Sequence, residues 1–452
     1  MIGMHRRHRG RGIRIGLTLL AVMLLTTGWW SANVTRKGQA TVSVLAHRVE
    51  QWRARGPHGP ISIERGSIGG AVYGEDGHPL SGAVVVVSDR YGKTVSAVTD
   101  AQGRYLIEGV PAGSAVPAAT RQGYEDQVFR RAVWEGTSAV RVRPGKTTSG
   151  ADFYLQRYAA LEAPTDVDRW EQVTVSNDYP RPVTALRTRL TFERGGCEVT
   201  SYLYEPVLEA ETEDKLPGIV AAYPGETLNW EPASLAFVAQ GYVVLGISPT
   251  TMRDLDVAAD TEDLRVAMRL FYRGVLSDRV DRRRIGALGG SFSSMALVRA
   301  LQREPYVRGA VLLGGLADVY LLRHDIYHSG YTGYNVRPTF DWAVWSMGRP
   351  DRLPRMYVEN SAAYHARGLP PLCVIHGTGD AVIPHNQSER LAEMLAQAGQ
   401  PYELHIYRGT GHYPGIHDPD PDTEAMYYDM VRFFAQRLAP RPQSLPGLTW
   451  EQ

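Results

Sequence analysis

Arg284-Ile285-Gly286-Ala287-Leu288-Gly289-Gly290-Ser291-Phe292-Ser293 runs an apolar strand into a glycine turn, and an amphipathic helical pattern starts just after Ser291. A serine lifted out on so tight a strand-to-helix turn needs small residues two positions to either side, because larger side chains would collide across it. Gly289 fills the first place; Ser293 stands where a second glycine is usual and is small enough for the packing to survive. Glycine-serine turns after strands also occur as ordinary turns, so the stretch gains chemical meaning only from what else leaves the same sheet edge.

Two later strands supply that. Pro371-Leu372-Cys373-Val374-Ile375 delivers His376-Gly377-Thr378-Gly379-Asp380, followed by Val382-Ile383-Pro384. Tyr402-Glu403-Leu404-His405-Ile406-Tyr407 delivers Gly409-Thr410-Gly411-His412. In a parallel sheet these groups leave the same edge as Ser291, in the chain order serine, acid, histidine. A serine hydroxyl is a weak nucleophile until a base takes its proton; His412 is the expected base, and Asp380 the group that holds its tautomer and stabilises the imidazolium. A turn aspartate beside Gly379 and a loop histidine are the bland alternatives, and each is plausible singly; both in this order after strands are not. Asp318, after the strand that follows the serine turn, is the reserve acid. His376 at a strand end reads as a structural histidine, and His385 and His417 have no glycine-framed strand end before them.

Charge developing on a substrate oxygen also needs donors aimed at it. The N–H of Phe292, next after the serine, is the first. The second is expected after Gly218-Ile219-Val220-Ala221-Ala222, in Tyr223-Pro224-Gly225-Glu226. Pro224 has no N–H, which leaves the Tyr223 hydroxyl or an N–H near Gly225 and Glu226.

The surrounding chain alternates strand and helix signals, as a mostly parallel sheet with helices on both faces requires. Strands are expected at 200–204, 218–222, 242–246, 285–288, 310–313 and 372–375, and helices at 233–239, 260–272, 293–302, 389–398 and 423–437. Residues 316–355, rich in aromatics from Tyr320 to Trp345, sit where hydrolases place lids, and point to an apolar or aromatic substrate group. Residues 66–156 instead show short strands and turns without helical period, which argues a small β-sandwich. Asp100 there reads as the cap of a turn completed by Gly103. A connector over 157–182 is expected between the two.

These residues carry two resemblances. Gly70-Ala71-Val72, Gly77-His78-Pro79-Leu80-Ser81-Gly82-Ala83, Thr99-Asp100-Ala101-Gln102-Gly103-Arg104-Tyr105 and Val110-Pro111-Ala112-Gly113 resemble the carboxypeptidase regulatory-like (transthyretin-like) domain, implying a spacer or docking module without chemistry. From about Val183 to Leu438 the serine turn, the 376–380 and 409–412 motifs and Ser361-Ala362-Ala363-Tyr364 resemble the catalytic domain of the prolyl oligopeptidase family and related dienelactone-hydrolase-like esterases. That resemblance implies an α/β-hydrolase fold over 183–440 acting through an acyl-enzyme on Ser291, with no cofactor or metal, and maps the family's oxyanion tyrosine onto Tyr223. The sandwich stands where the peptidases carry a β-propeller, and the paired glutamates of the dipeptidase members have no counterpart. Ester and peptide bonds both stay open. The rival reading is a hydrolase fold kept as a binding or adhesion module.

The chain start decides the expected compartment. Arg6, Arg7, Arg9, Arg11 and Arg14 precede the apolar run Ile15–Leu25 and the Trp29-Trp30 pair. Such a segment over 1–32 fits a membrane-interface anchor with the remainder facing outward; the alternative is a signal peptide cut after Gly38-Gln39-Ala40. Residues 33–65 read as a tether. Of the 49 Lys and Arg residues against 48 Asp and Glu, the early cluster takes enough to leave the remainder slightly acidic, which excludes a basic nucleic-acid-binding face. The two cysteines, Cys197 and Cys373, have no metal-ligand spacing and read as buried thiols, with a disulfide between them as the alternative.

Overall fold

A computed structural model describes residues 61–439 except 131–137, 162–166, 179–180, 195, 208–213, 249–255, 327–346 and 413–420. The expected anchor, most of the tether, His417 and the aromatics from Tyr327 to Trp345 lie outside the described residues. Among those described, no helix is long and apolar enough to cross a membrane.

The first unit is all β: β1 (Arg65–Gly74), β2 (Val84–Ser88), β3 (Thr94–Val98), β4 (Arg104–Pro111), β5 (Gly113–Ala115), β6 (Ala118–Thr120), β7 (Gln127–Val128), β8 (Val140–Val142), β9 (Thr147–Thr148) and β10 (Phe153–Leu155). One sheet runs β10-β1-β4 with β9 beside β1, and a second runs β3-β2-β6-β7. Ile68, Val72, Val85, Val87, Ile107 and Phe153 fill the space between them. Asp100 caps its turn by accepting the N–H groups of Gln102 and Arg104 at 2.9 and 2.8 Å.

The second unit is built on nine strands: β11 (Asp168–Asn177), β12 (Val183–Arg194), β13 (Cys197–Pro206), β14 (Leu216–Ala222), β15 (Val243–Ile247), β16 (Val280–Gly290), β17 (Val307–Leu313), β18 (Leu372–Gly377) and β19 (Tyr402–Tyr407). Their order is β11-β12-β13-β15-β14-β16-β17-β18-β19. The pairs from β15 to β19 are parallel, and those from β11 to β13, with β13 to β15, antiparallel. Helices α1 (Glu231–Val238), α2 (Val257–Arg273), α3 (Ser293–Leu301), α4 (Val319–His324), α5 (Pro354–Glu359), α6 (Asn386–Gln397) and α7 (Pro421–Leu438) surround the sheet. Residues of α2, α3 and α6 pack into one face and residues of α1 and α7 into the other. This is the α/β-hydrolase fold, with a β-rich unit before it.

Three expectations change. Residues 157–182 are not simply a connector, because Asp168–Asn177 pairs antiparallel with β12 and forms the sheet edge. The sandwich, expected as a spacer or docking module, packs directly on the hydrolase unit: β2 is buried on both faces, with Val85 and Val87 in the sandwich core and Val84 and Val86 in the hydrolase core. Finally, Cys197 is exposed, at the start of β13, and only Cys373 is buried; both thiols are free.

Candidate active site

The strand-to-helix turn puts Ser291 in the left-handed region at φ 52°, and it is the only non-glycine residue at positive φ among those described. That conformation costs on the order of 1–3 kcal/mol and persists only where the surroundings over-determine it. Here they do. The Ser291 N–H donates to the Leu313 carbonyl at 3.0 Å, and its own carbonyl accepts the Leu316 N–H at 3.2 Å. A Cβ on Gly289 would meet the buried Leu297 side chain of α3 at 2.6 Å, so a larger residue there would have to displace that side chain. Ser293 is tolerated in place of the second glycine because it is fully buried with its hydroxyl donating to the Gly290 carbonyl at 3.0 Å.

Ser291 Oγ lies 2.9 Å from His412 Nε2, and His412 Nδ1 lies 2.6 Å from Asp380 Oδ2. The carboxylate thus fixes the tautomer in which Nδ1 donates and Nε2 accepts the serine proton. Backbone packing sets this distance. A Cβ on Gly377 would sit 2.1 Å from the Thr410 carbonyl oxygen, and one on Gly379 2.3 Å from that of Gly409, so the acid loop and the histidine loop touch through bare backbone. Hydrogen bonds from Gly379 N–H to the Thr410 carbonyl and from Gly409 N–H to Thr378 Oγ1 hold them together.

Asp380 is satisfied on every side. Its Oδ1 accepts the N–H groups of Val382 and Ile383, both at 2.8 Å, and its Oδ2 takes His376 Nε2 at 3.0 Å besides His412. Since His376 Nε2 also faces the Ile383 carbonyl, that nitrogen carries the proton and Nδ1 accepts from Ser388 Oγ at 2.7 Å. Burial alone would raise the Asp380 pKa; the hydrogen bonds from His376 and His412 and the charge of His412 outweigh it and hold the carboxyl well below the usual range. His376 is structural, as expected, but the residue it braces is Asp380. The strand-end position could signal a structural role and not the partner, four residues on around a turn.

The other expected residues are placed as follows. Phe292 opens α3, so its N–H is one of the first-turn donors a helix leaves without an intrahelical partner. Tyr223 does not offer its hydroxyl to that point. Its ring stacks on Trp230 with centroids 5.4 Å apart and leans over Gly246 of β15, on the side of β14 away from β16. Its hydroxyl pairs with Ser234 Oγ at 2.9 Å and its N–H donates to the Ile247 carbonyl at 2.8 Å. A flat aromatic partner and a buried hydroxyl together draw the ring inward. Asp318 caps α4, accepting the Tyr320 and Leu321 N–H groups, and meets Arg390 at 3.3 Å; it is not in contact with His412 among the hydrogen bonds described. His385 precedes α6, 3.8 Å from Glu389. Tyr320, the described aromatic of the expected lid, is a core ring whose hydroxyl donates to the Pro354 carbonyl.

Cys373, Glu403 and His405, with ligand atoms within 4.8 Å of one another, are the described group able to hold a metal. They sit toward the amino ends of β18 and β19, where the Arg432 guanidinium lies 3.8 Å from Glu403 and 2.7 Å from Asp429 and already supplies the positive charge. Burial, with Glu403 and Asp429 nearby, pushes the Cys373 thiol up to about 12, which disfavours the thiolate that a metal needs.

Residues 67–156 match the carboxypeptidase regulatory-like domain, and residues 275–441 match the prolyl oligopeptidase family. Among characterised proteins the chain is similar to inactive dipeptidyl peptidase 10 of Mus musculus, 26% identical over 181 residues, a match covering 36% of this chain and 22% of that protein. The rat protein of the same name is 25% identical over the same length. The chain therefore spans less than a quarter of the curated relatives it matches. Among solved structures it is similar to the acylaminoacyl peptidase of Pyrococcus horikoshii, at 16% identity and TM-score 0.47 over 78% of this chain and 60% of that one. Carboxyl esterase 2 of Tuber melanosporum is similar at 17% identity and TM-score 0.45, over 56% and 88%.

Proposed function

We propose that this chain, a carboxypeptidase regulatory-like domain followed by a prolyl oligopeptidase-family domain, is a serine hydrolase that cleaves an ester or peptide bond through Ser291, His412 and Asp380. The observation that carries the reading is the contact chain from Ser291 Oγ through His412 to Asp380 Oδ2, at 2.9 and 2.6 Å, on a serine held at φ 52°. His412 Nε2 takes the serine proton as Oγ attacks the carbonyl carbon, and Asp380 stabilises the imidazolium. The Phe292 N–H and an N–H of the Gly225–Glu226 segment receive the charge on the oxygen. His412 then returns the proton to the leaving group and activates the water that frees Ser291.

The full chain is expected to turn over p-nitrophenyl acetate and butyrate or an aminoacyl-p-nitroanilide, and the preferred series tells esterase from peptidase. Ser291→Ala should lower kcat by about 10⁴-fold or more. Turnover unchanged in that variant would sink the assignment. The second reading, a hydrolase fold kept for binding, draws on the word inactive in the relatives' names; labelling of Ser291 by a fluorophosphonate separates the two, since only an activated serine reacts. Work outside the cytoplasm belongs to the same proposal, supported by the arginine cluster ahead of the 15–25 apolar run, and is tested by protease accessibility on intact cells.

A further inference from the structure

The strand order reverses beside β14: the chain leaves β14 for β15 on one side and returns through α2 to β16 on the other. Open α/β sheets bind ligands in the crevice at such a switch point, outside the carboxyl ends of the strands. In this protein that place is an apolar cavity of about 80 Å³. Gly290 and Leu313 at the ends of β16 and β17, Tyr223 and Trp230 after β14, Ala236 of α1 and Met430 of α7 line it. Gly290 directly precedes Ser291, and Leu313 is the residue whose carbonyl holds the Ser291 N–H. The cavity is therefore lined by the residue before the nucleophile and by Pro224 of the loop proposed to supply the second oxyanion donor.

Its chemistry is one-sided. The Tyr223 hydroxyl is paired with Ser234, the Trp230 indole N–H donates to the Pro224 carbonyl at 3.0 Å, and the Tyr427 hydroxyl donates to the Ala236 carbonyl at 2.9 Å. These polar atoms are committed to the protein, leaving rings and methyl groups to face the space. Interiors are otherwise close-packed, and apolar walls give water few partners in the space. Gly290 contributes directly: a Cβ there would have only the Leu313 carbonyl oxygen near it, at 3.4 Å, so no clash forbids a side chain and the glycine leaves the space open.

We propose that this cavity is the substrate pocket for an uncharged apolar group flanking the scissile carbonyl, a short alkyl chain or a phenyl ring. The proposal rests on the serine-hydrolase reading for the bond cleaved, but not for the binding. In the full chain, kcat/KM should rise about tenfold or more from p-nitrophenyl acetate to butyrate if the acyl side enters. It should rise instead from methyl to butyl acetate if the alcohol side does. Ala236→Leu and Gly290→Val add side-chain volume to the lining from α1 and from the end of β16 and should abolish that gain. The gain is read as the butyrate-to-acetate ratio within each variant, so that a loss common to all esters does not mimic it.

Binding is read separately, by titrating benzyl alcohol against tryptophan fluorescence and subtracting the Trp230→Phe variant. A saturable change, lost in Ala236→Leu, is expected even in Ser291→Ala. Loss of either signal in the filled variants upholds the pocket. If no ester is cleaved but the alcohol binds and is displaced by Ala236→Leu, the hydrolase reading fails and the pocket stands. Chain-length preference unaltered by both substitutions, with no saturable alcohol binding, overturns it.

Discussion

At the scale of single residues, the site depends on how thoroughly Asp380 is satisfied. Two backbone N–H groups hold Oδ1 and two imidazoles hold Oδ2, so the carboxylate has one orientation open to it. His376 supplies one of those bonds from a position with no solvent exposure. Its replacement by leucine removes a hydrogen bond to a charged group, a loss of about 1.5–3 kcal/mol. If the fixed carboxylate matters to the transition state, kcat in His376→Leu falls about 10- to 100-fold. Stopped-flow turnover together with a circular dichroism spectrum checks this; an undiminished kcat in a folded variant would show that the backbone N–H groups suffice to orient Asp380.

Between elements, the decisive contact joins the loop after β18 to the loop after β19. Both are glycine-rich for a physical reason, since a Cβ on Gly377 or Gly379 would fall within 2.3 Å of a carbonyl oxygen of the opposite loop. Gly379→Ala should therefore push the 409–411 backbone outward and carry His412 with it. A displacement of about 1 Å at a reacting group costs on the order of 10²-fold in rate, so kcat should drop by about that factor. Stability should suffer less than from a core truncation, because the loop can move. Activity and urea unfolding of the same variant give both numbers, and an undisturbed kcat would mean the loops have slack.

For the whole molecule, the two units fold onto one another. Asp126, just before β7, is buried against Arg299 of the nucleophile helix α3 at 2.5 Å and His365 Nε2 at 3.0 Å, with the Tyr158 hydroxyl 3.1 Å from Arg299. The Thr94 hydroxyl meets that of Tyr364 at 2.9 Å, and Gln122 reaches the Gln302 carbonyl at 3.1 Å. Removing one member of a buried ion pair strands the other, at a cost of about 3–5 kcal/mol. Asp126→Ala should lower the unfolding free energy by that amount, read as an earlier urea midpoint. Burial works to raise the Asp126 pKa, but Arg299 and His365 hold it far below the usual carboxylate range. A carboxyl whose folded pKa is depressed contributes stability that is full above its unfolded value of about 4 and is lost as pH falls below it. Acid unfolding below about pH 4 should accordingly be steeper in the parent than in Asp126→Asn.

The order of strands β13 to β19 and of the longer helices was legible along the chain, because most of those strands carry short apolar runs and helices such as α2 and α6 show an amphipathic period. The emergence of Ser291, Asp380 and His412 at one sheet edge was legible because parallel strands deliver their following loops to the same end. The edge strand β11 and its neighbour β12 were not, since β11 is largely exposed and β12 mixes charged and apolar residues without an apolar run. Nor was the union of the two units, although Val84-Val85-Val86-Val87 held a signal. An antiparallel strand with one wet face alternates, and this one does not. The sequence by itself determined the fold class, the glycine turns and the order of the polar groups, all set by local sterics and periodicity. Only the tertiary structure decided which groups touch. The inward turn of Tyr223, the bracing of Asp380 by His376, the Asp126–Arg299 pair and the cavity at Gly290 each depend on distances between segments tens to hundreds of residues apart or around a closed turn, and neither composition nor spacing encodes those.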